Sequence, residues 1–170
     1  MRNICSLALL TLSLVLAGLP ACSRDPNAKK QKFFESGNHY FDQGKYSEAS
    51  IQYLNAIKID YNFAKAHYKL AETYIRLQDW SDAYRELQRT VAVDPGNVKA
   101  QIELGNLLVA GRTFAEAQGI ADKVLKTDPN NADAHVLQAS LNIAQDNRDA
   151  AIQELQRWGA ILRDRAPKPA

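Results

Sequence analysis

Residues 64–97 read AKAHYKLAETYIRLQDWSDAYRELQRTVAVDPGN, and the same pattern of small, large and turn-forming residues recurs on both sides of them. Alanine stands at intervals of 34 residues, at Ala49, Ala83, Ala117 and Ala151. Two further columns keep this step: Gly37, Ala71, Gly105 and Ala139 are small, and Asp60, Asp94 and Asp128 are acidic. Several columns in one register indicate an internal repeat, and a period of this length predicts a helical array.

Each repeat contains two stretches in which apolar residues recur at i, i+3, i+4 and i+7, as Leu70, Tyr74 and Leu77 do. This spacing predicts amphipathic helices. The first helices are predicted over 30–42, 64–77, 98–110 and 131–144, and the second over 47–60, 81–94, 113–128 and 149–163. Short polar turns between them predict antiparallel pairs.

The helix ends are predicted from turn and capping residues. Pro95 and Pro129 follow Asp94 and Asp128, and proline lacks the donor that a continuing helix needs. Asn97 and Asn131 are then predicted to cap the next first helix, and Ser47 and Ser81 are predicted to cap second helices.

These residues resemble the tetratricopeptide repeat family, whose 34-residue helix pair carries large, Leu, Gly/Ala, Tyr, Ala, aromatic, Ala and Pro at fixed positions. The second repeat shows the likeness in Leu70, Ala71, Tyr74, Trp80, Ala83, Leu87 and Pro95. The fourth repeat departs from it at Asn142, where an aromatic residue is usual. The resemblance implies an all-α, right-handed solenoid of about four repeats, with a concave surface for binding. A generic helical bundle is the alternative.

The N-terminus predicts export. Arg2 is followed by an almost wholly apolar, uncharged stretch over 4–19 and then by Pro20 and Ala21, which is the order of a secretory signal. The predicted domains are a signal peptide over 1–21, a linker over 22–29, an array over 30–163 and a disordered tail over 164–170. The repeats fall at 30–63, 64–97, 98–131 and 132–163.

Leu19-Pro20-Ala21-Cys22 resembles the bacterial lipobox, in which the cysteine is lipidated and becomes the new N-terminus. Pro20 departs from the usual small residue, and an ordinary secreted protein cleaved near Ala21 is the alternative. The resemblance implies a lipoprotein with palmitate and other acyl chains on Cys22. The sorting rule of Gram-negative lipoproteins, applied to Ser23, implies the outer membrane, facing the periplasm.

The first helix of each repeat lines the groove in this family. Offsets 5 and 12 of each repeat then form two apolar rows, and offset 9 forms a polar row between them. The predicted partner-binding residues are Phe34, Asn38, Phe41, Tyr68, Glu72, Ile75, Ile102, Asn106 and Val109. The rows favour an amphipathic helix or an extended segment with apolar anchors. The alternative is that a following helix covers the apolar residues.

Other functions find little support. Some family members grip a C-terminal carboxylate with a Lys/Asn/Lys/Arg clamp, but Phe34 stands at the first lysine position and Glu103 at the arginine position. The sequence has no P-loop, Gly-x-Ser-x-Gly or HExxH motif, so neither catalysis nor a cofactor nor a metal site is predicted. Without residues 1–21, which contain only Arg2 among charged residues, basic residues exceed acidic ones by one, and nucleic-acid binding is not expected.

The sequence therefore predicts a protein-interaction scaffold anchored at the bacterial envelope. It resembles repeat lipoproteins of pilus assembly and of exosortase or exopolysaccharide systems, which implies a role in the assembly or export of envelope components. The alternatives are a docking or regulatory subunit of an envelope enzyme, or the first part of a longer array. The last helix ends in apolar residues around Trp158 instead of a polar cap, which suggests docking onto another protein or a second copy.

Overall fold

The computed structural model describes residues 25–165, which form eight helices and no strand. Each helix packs against the next one along the chain, and α5 also packs against α7. The helices are α1 (Pro26–Asp42), α2 (Tyr46–Ile59), α3 (Ala64–Arg76), α4 (Trp80–Val93), α5 (Val98–Ala110), α6 (Phe114–Thr127), α7 (Ala132–Ala144) and α8 (Arg148–Arg165). The prediction of an all-α array of four helix pairs is confirmed.

The two ends of the array differ from the predicted domain limits. Helix α1 begins at Pro26, so residues 26–29 of the predicted linker are helical. Asp25 caps this helix by accepting a hydrogen bond from the Asn27 amide (2.9 Å), and proline in the first turn already has the helical φ. Helix α8 runs to Arg165, two residues into the predicted tail. The predicted signal peptide, Cys22 and residues 166–170 lie outside the described residues.

Two of the predicted helix caps are confirmed and two are wrong. The side chains of Asn97 and Asn131 accept from the amides of Ala100 and Ala134, at 3.1 and 3.0 Å. Ser47 and Ser81 cap nothing, because the second helices begin earlier, at the aromatic residues Tyr46 and Trp80. The N-cap position therefore falls one residue before these aromatics. In α4 it is Asp79, which accepts from the Asp82 amide at 3.2 Å.

Small residues set the distance between packed helices. A Cβ atom added to Gly37 would lie 2.5 Å from Tyr53 Cε1, so the α2 ring sits directly on the α1 backbone. The Tyr53 hydroxyl donates to Asn38 Oδ1 at 2.9 Å and fixes the ring in place. Between repeats, a Cβ atom on Gly105 would lie 2.5 Å from Leu137 Cδ2. The recurring small residue therefore allows close packing within a repeat at Gly37 and between repeats at Gly105.

The turn inside each repeat uses a left-handed backbone at one recurring position. Gly44, Gln78, Arg112 and Asp146 have φ values of 73°, 61°, 60° and 61°. These four residues are themselves 34 positions apart. Glycine adopts this conformation without strain, whereas the other three side chains do so at a cost.

Two apolar clusters form the core along the array. The first includes Tyr53, Ile57 and Leu70, with the rings of Phe33 and Phe34 packed against it. The second runs from Ala71 in α3 to Leu141 in α7. Each repeat therefore completes its core with residues of its neighbours, as expected of a solenoid.

We predict that Gly37→Ala lowers the free energy of unfolding by about 1–3 kcal/mol, because the buried Tyr53 ring cannot move away from the new methyl group. Gly119→Ala in α6 is the matched control, since nothing lies within 4 Å of its added Cβ. It should stabilise the helix by up to about 1 kcal/mol. Urea unfolding followed by circular dichroism measures both. A Gly37→Ala protein as stable as the wild type would contradict the tight crossing.

Candidate functional site

The first repeat uses its predicted groove residues mainly for internal contacts. Phe34 is half-buried, with its ring 5.1 Å from that of Phe63. Phe41 lies edge-on to Tyr46 at 5.3 Å, and the Lys69 ammonium lies 5.1 Å from the Phe41 ring centre. The Asn38 oxygen accepts from the Tyr53 hydroxyl. These side chains thus hold α1 against its neighbours, and a role in binding stays a prediction.

The apolar rows of the next two repeats are also largely covered. Ile102 is only 7% exposed, and Ile75 and Val109 are half-buried against the second core cluster. Only the fourth repeat leaves its row residues open, with Val136 at 51% and Ile143 at 58% exposure. Exposure of these positions therefore depends on whether another first helix follows.

A cavity of about 370 Å³ opens where three successive first helices meet. Its lining comes from α3, α5 and α7: Tyr68, Glu72, Lys99, Ile102, Glu103 and Asp133. In this family first helices form the concave surface, so the cavity belongs to the predicted groove. Tyr68, Glu72 and Ile102 are thus brought together, and Asn106 lies exposed one turn after Ile102 on α5. The surface is more polar than the sequence pattern predicted.

Glu103 is the central polar group of this cavity. The Tyr68 hydroxyl donates to Glu103 Oε1 at 2.9 Å. Among the described residues, no hydrogen-bond donor reaches Glu103 Oε2, although this oxygen is buried. Burial raises the pKa of Glu103 above its ordinary value, and the charge of Glu72 adds to the rise. Burial and the neighbouring Glu103 also raise the pKa of Tyr68, so its hydroxyl remains a donor at neutral pH.

Glu72 is partly neutralised by its own helix. Lys69 Nζ lies 2.7 Å from Glu72 Oε2 as an i,i+3 ion pair, but this contact lacks hydrogen-bond geometry. Lys99 is exposed at the rim, opposite the exposed Asp133. The sequence placed Tyr68, Glu72 and Ile102 in the groove, but the predicted binding residues did not include Lys99, Glu103 or Asp133. The signal was available, because Asp133 begins the next first helix, at offset 2 of its repeat.

The buried histidines hold repeat junctions. His67 lies between Glu86 (Nδ1 to Oε2, 2.6 Å) and the Tyr61 carbonyl (3.0 Å from Nε2). His135 repeats this arrangement with Glu154 (2.5 Å) and the Pro129 carbonyl (2.9 Å). The second imidazole also stacks on Trp158, with ring centres 5.0 Å apart. Each histidine therefore ties a junction turn to the following second helix.

The described part of the chain offers neither a cluster of metal ligands nor a membrane-spanning helix. Residues 25–165 contain no group of three or more histidine, cysteine, aspartate or glutamate side chains placed to hold a metal ion. Nor does any helix of this part of the chain combine the length and apolar character needed to cross a membrane.

This arrangement of stacked antiparallel helix pairs defines a helical-repeat solenoid with a groove lined by its first helices. Residues 37–78 match the family model described as TPR repeat. Residues 78–139 and 108–168 match the model described as tetratricopeptide repeat. The chain belongs to the tetratricopeptide repeat family, as the sequence resemblance implied. The fold of this family is typically an interaction scaffold without catalytic function.

Solved structures show the same fold. The crystal structure of MamA superimposes with a TM-score of 0.74 at 20% identity, covering 84% of this chain and 82% of MamA. A tetratricopeptide repeat protein from Parabacteroides merdae gives 0.75 at 20% identity, covering 81% of this chain and 53% of that protein. The first repeat domain of Spaghetti (RPAP3), bound to the HSP90 peptide SRMEEVD, gives 0.58 at 27% identity, covering 76% and 94%.

Among curated proteins, human sperm-associated antigen 1 is 32% identical over 81 residues. The matched region is 48% of this chain but only 8% of that protein. The likeness therefore concerns the repeats and does not extend to the function of the whole human protein.

We predict that Glu103→Gln raises the free energy of unfolding at pH 7. Because the folded state raises the pKa of Glu103 above 4.5, the native protein holds this proton more tightly than the unfolded chain. Stability is therefore lost as pH rises from about 4.5 through the folded pKa, and the loss persists above it. Glutamine removes this loss and keeps an oxygen to accept from Tyr68.

Urea unfolding between pH 4 and pH 8 measures the effect, with exposed Glu35→Gln as control. The gain from Glu103→Gln should shrink as pH falls toward 4.5, whereas the control should stay within about 0.5 kcal/mol of wild type. Destabilisation by Glu103→Gln that grows with pH would show instead that the lysines stabilise the carboxylate.

Proposed function

We propose that this chain is a protein-interaction scaffold at the bacterial cell envelope, which binds a partner segment along the groove of its first helices. The observation that carries the proposal is the cavity of about 370 Å³ to which three successive repeats contribute. A segment seated there would contact α3, α5 and α7 together. The affinity for the segment would thus depend on the spacing between repeats as well as on single side chains.

The chemistry of the cavity favours a segment that brings a donor, such as a lysine or arginine side chain. Glu103 Oε2 is buried without a donor from the described residues, which is a costly state for a carboxylate oxygen. A cationic group entering from the partner would supply the missing bond and offset the desolvation that raises the Glu103 pKa.

The preferred charge is therefore opposite to that of the peptide in the RPAP3 structure. SRMEEVD carries three carboxylate side chains. This chain has Glu103 at the clamp arginine position, with Glu72 and Asp133 lining the same cavity. An acidic peptide would bring like charges together at low exposure, whereas a basic segment would find complementary ones.

We further propose that Cys22 is lipidated after removal of residues 1–21 and anchors the array at the outer membrane, facing the periplasm. The support is the order of Arg2, the apolar stretch over 4–19 and Leu19-Pro20-Ala21-Cys22. Helix α1 begins at Pro26, four residues after Cys22, so the array would sit close to the lipid surface. The proposed role is in the assembly or export of envelope or secreted components.

Photo-cross-linking in cells tests the groove. A photoreactive phenylalanine analogue at Asn106, exposed on α5, should give a defined cross-linked product. The analogue at Ala92, exposed on the second helix α4, should not. Adding Glu103→Gln to the Asn106 probe should lower the yield about tenfold, the equivalent of one charge-assisted hydrogen bond. Equal products from both probe positions, or a yield indifferent to Glu103→Gln, would reject the groove as the binding surface.

Mass spectrometry and membrane fractionation test the anchor. The mature protein should begin at an acylated Cys22, and Cys22→Ser should release it from membranes, while Cys5→Ser in the predicted signal should not. Ser23→Asp should shift the protein toward the inner membrane if the lipoprotein sorting rule applies. An unmodified Cys22 on the mature chain would remove the anchor.

A further inference from the structure

The two ends of the array have opposite surface character. At the end formed by α7 and α8, four large apolar side chains are exposed, and we call them the end face: Val136 (51%), Ile143 (58%), Ile152 (52%) and Leu155 (43%). Trp158 is not one of them, because it is half-buried and stacked on His135. The four side chains keep this exposure among the residues whose burial the structure describes.

The repeats before it show what such a surface normally contacts. Leu155 occupies the same repeat position as Tyr53, Leu87 and Ala121, and all three are completely buried. In those repeats a first helix follows and packs on the preceding pair: α3 on α2, α5 on α4 and α7 on α6. The end face thus corresponds to a surface that a following first helix covers in each of the first three repeats.

The opposite end of the array is poorly suited to cover the end face of a second copy in head-to-tail stacking. The first helices α3 and α5 present small or apolar residues to the preceding pair at three positions, such as Ala66, Leu70 and Thr73 in α3, all fully buried. In α7 the middle position holds Gln138, which is hydrogen-bonded to Gln118 of the preceding helix. In α1 the same positions hold Lys32, Ser36 and His39. Burying the lysine ammonium against Leu155 without a partner charge would be strongly unfavourable.

We propose that the end face binds an amphipathic helix of a partner protein, one that presents an alanine, a leucine four residues later and an uncharged residue three further on. This is the pattern with which α3 packs on the preceding pair, and it is repeated in α5 as Ala100, Leu104 and Leu107. The helix extends the solenoid by one element and buries Ile152 and Leu155. Ile152 and Leu155 lie on the second helix α8, so this binding does not depend on the groove of the first helices.

Fluorescence anisotropy with the full chain tests this directly. The probe is a labelled synthetic peptide of residues 97–111, because α5 covers Leu87, the counterpart of Leu155. The matched control peptide carries Ala100→Lys, Leu104→Ser and Leu107→His, which are the residues that α1 has at these positions. The first peptide should bind, and the control should bind at least about tenfold more weakly.

Protein variants locate the site. Ile152→Glu and Leu155→Glu together should weaken peptide binding by about tenfold or more, while Ile51→Glu, at a similarly exposed isoleucine on α2, should leave it unchanged. Circular dichroism confirms that each variant is folded; should the double variant unfold, Leu155→Gln replaces it. Failure of the intact chain to bind the peptide, including through cover by residues outside 25–165, overturns the proposal. So does binding that survives the end-face variants.

Sedimentation of the same proteins decides between the proposed partner helix and a second copy. The wild type should remain a monomer at concentrations where the peptide binds. A dimer that the Leu155 variants dissociate would show instead that two copies meet through their end faces, and would overturn the partner helix.

Discussion

The close approach of α1 and α2 at Gly37 is the contact on which the rest of the array depends. With 2.5 Å between a hypothetical Cβ atom and the Tyr53 ring, the two helices pack at a distance that any larger residue would increase. A small residue stands at this position in every repeat, but at Gly105 the close contact is with Leu137 of the next repeat. Because every repeat contacts only its neighbours, a change in the distance between two packed helices would shift all the repeats that follow.

Periodicity predicted the helices well because it records packing that is the same in each repeat. The α5 limits were predicted to the residue, and the asparagine caps held because their side chains act locally. Exposure was harder to predict: Ile102 and Val136 share a column, yet one is buried and the other is half-exposed. Their difference comes from what lies next in space, which the spacing of a column does not contain. The Tyr68–Glu103 bond joins residues 35 apart. It needs a tyrosine in one repeat and a glutamate one position later in the next repeat, a combination that the array contains once.

The repeats share one backbone arrangement, and the features relevant to function lie at positions where the residue differs between repeats. The histidine column reads Phe33, His67, Gln101 and His135, and Gln101 reaches the Pro95 carbonyl as the histidines reach theirs. The junctions are therefore tied by different chemistry in the same place. In the groove, Glu103 interrupts a surface that packing alone would make apolar. The polar surface of α1 and the apolar end face likewise make the two ends of the array chemically different.

The left-handed turns carry a further consequence. Only Gly44 adopts its φ without strain, whereas Gln78, Arg112 and Asp146 hold theirs against a steric cost of the order of 1 kcal/mol each. Three of the four turns therefore lower the stability of the array, and a change to glycine would remove this cost. A change to glycine at one of these turns would therefore offset a destabilising change elsewhere, for instance a carboxylate placed in a groove because a partner requires it. The turns are thus where such a protein can compensate for the evolution of its binding surface.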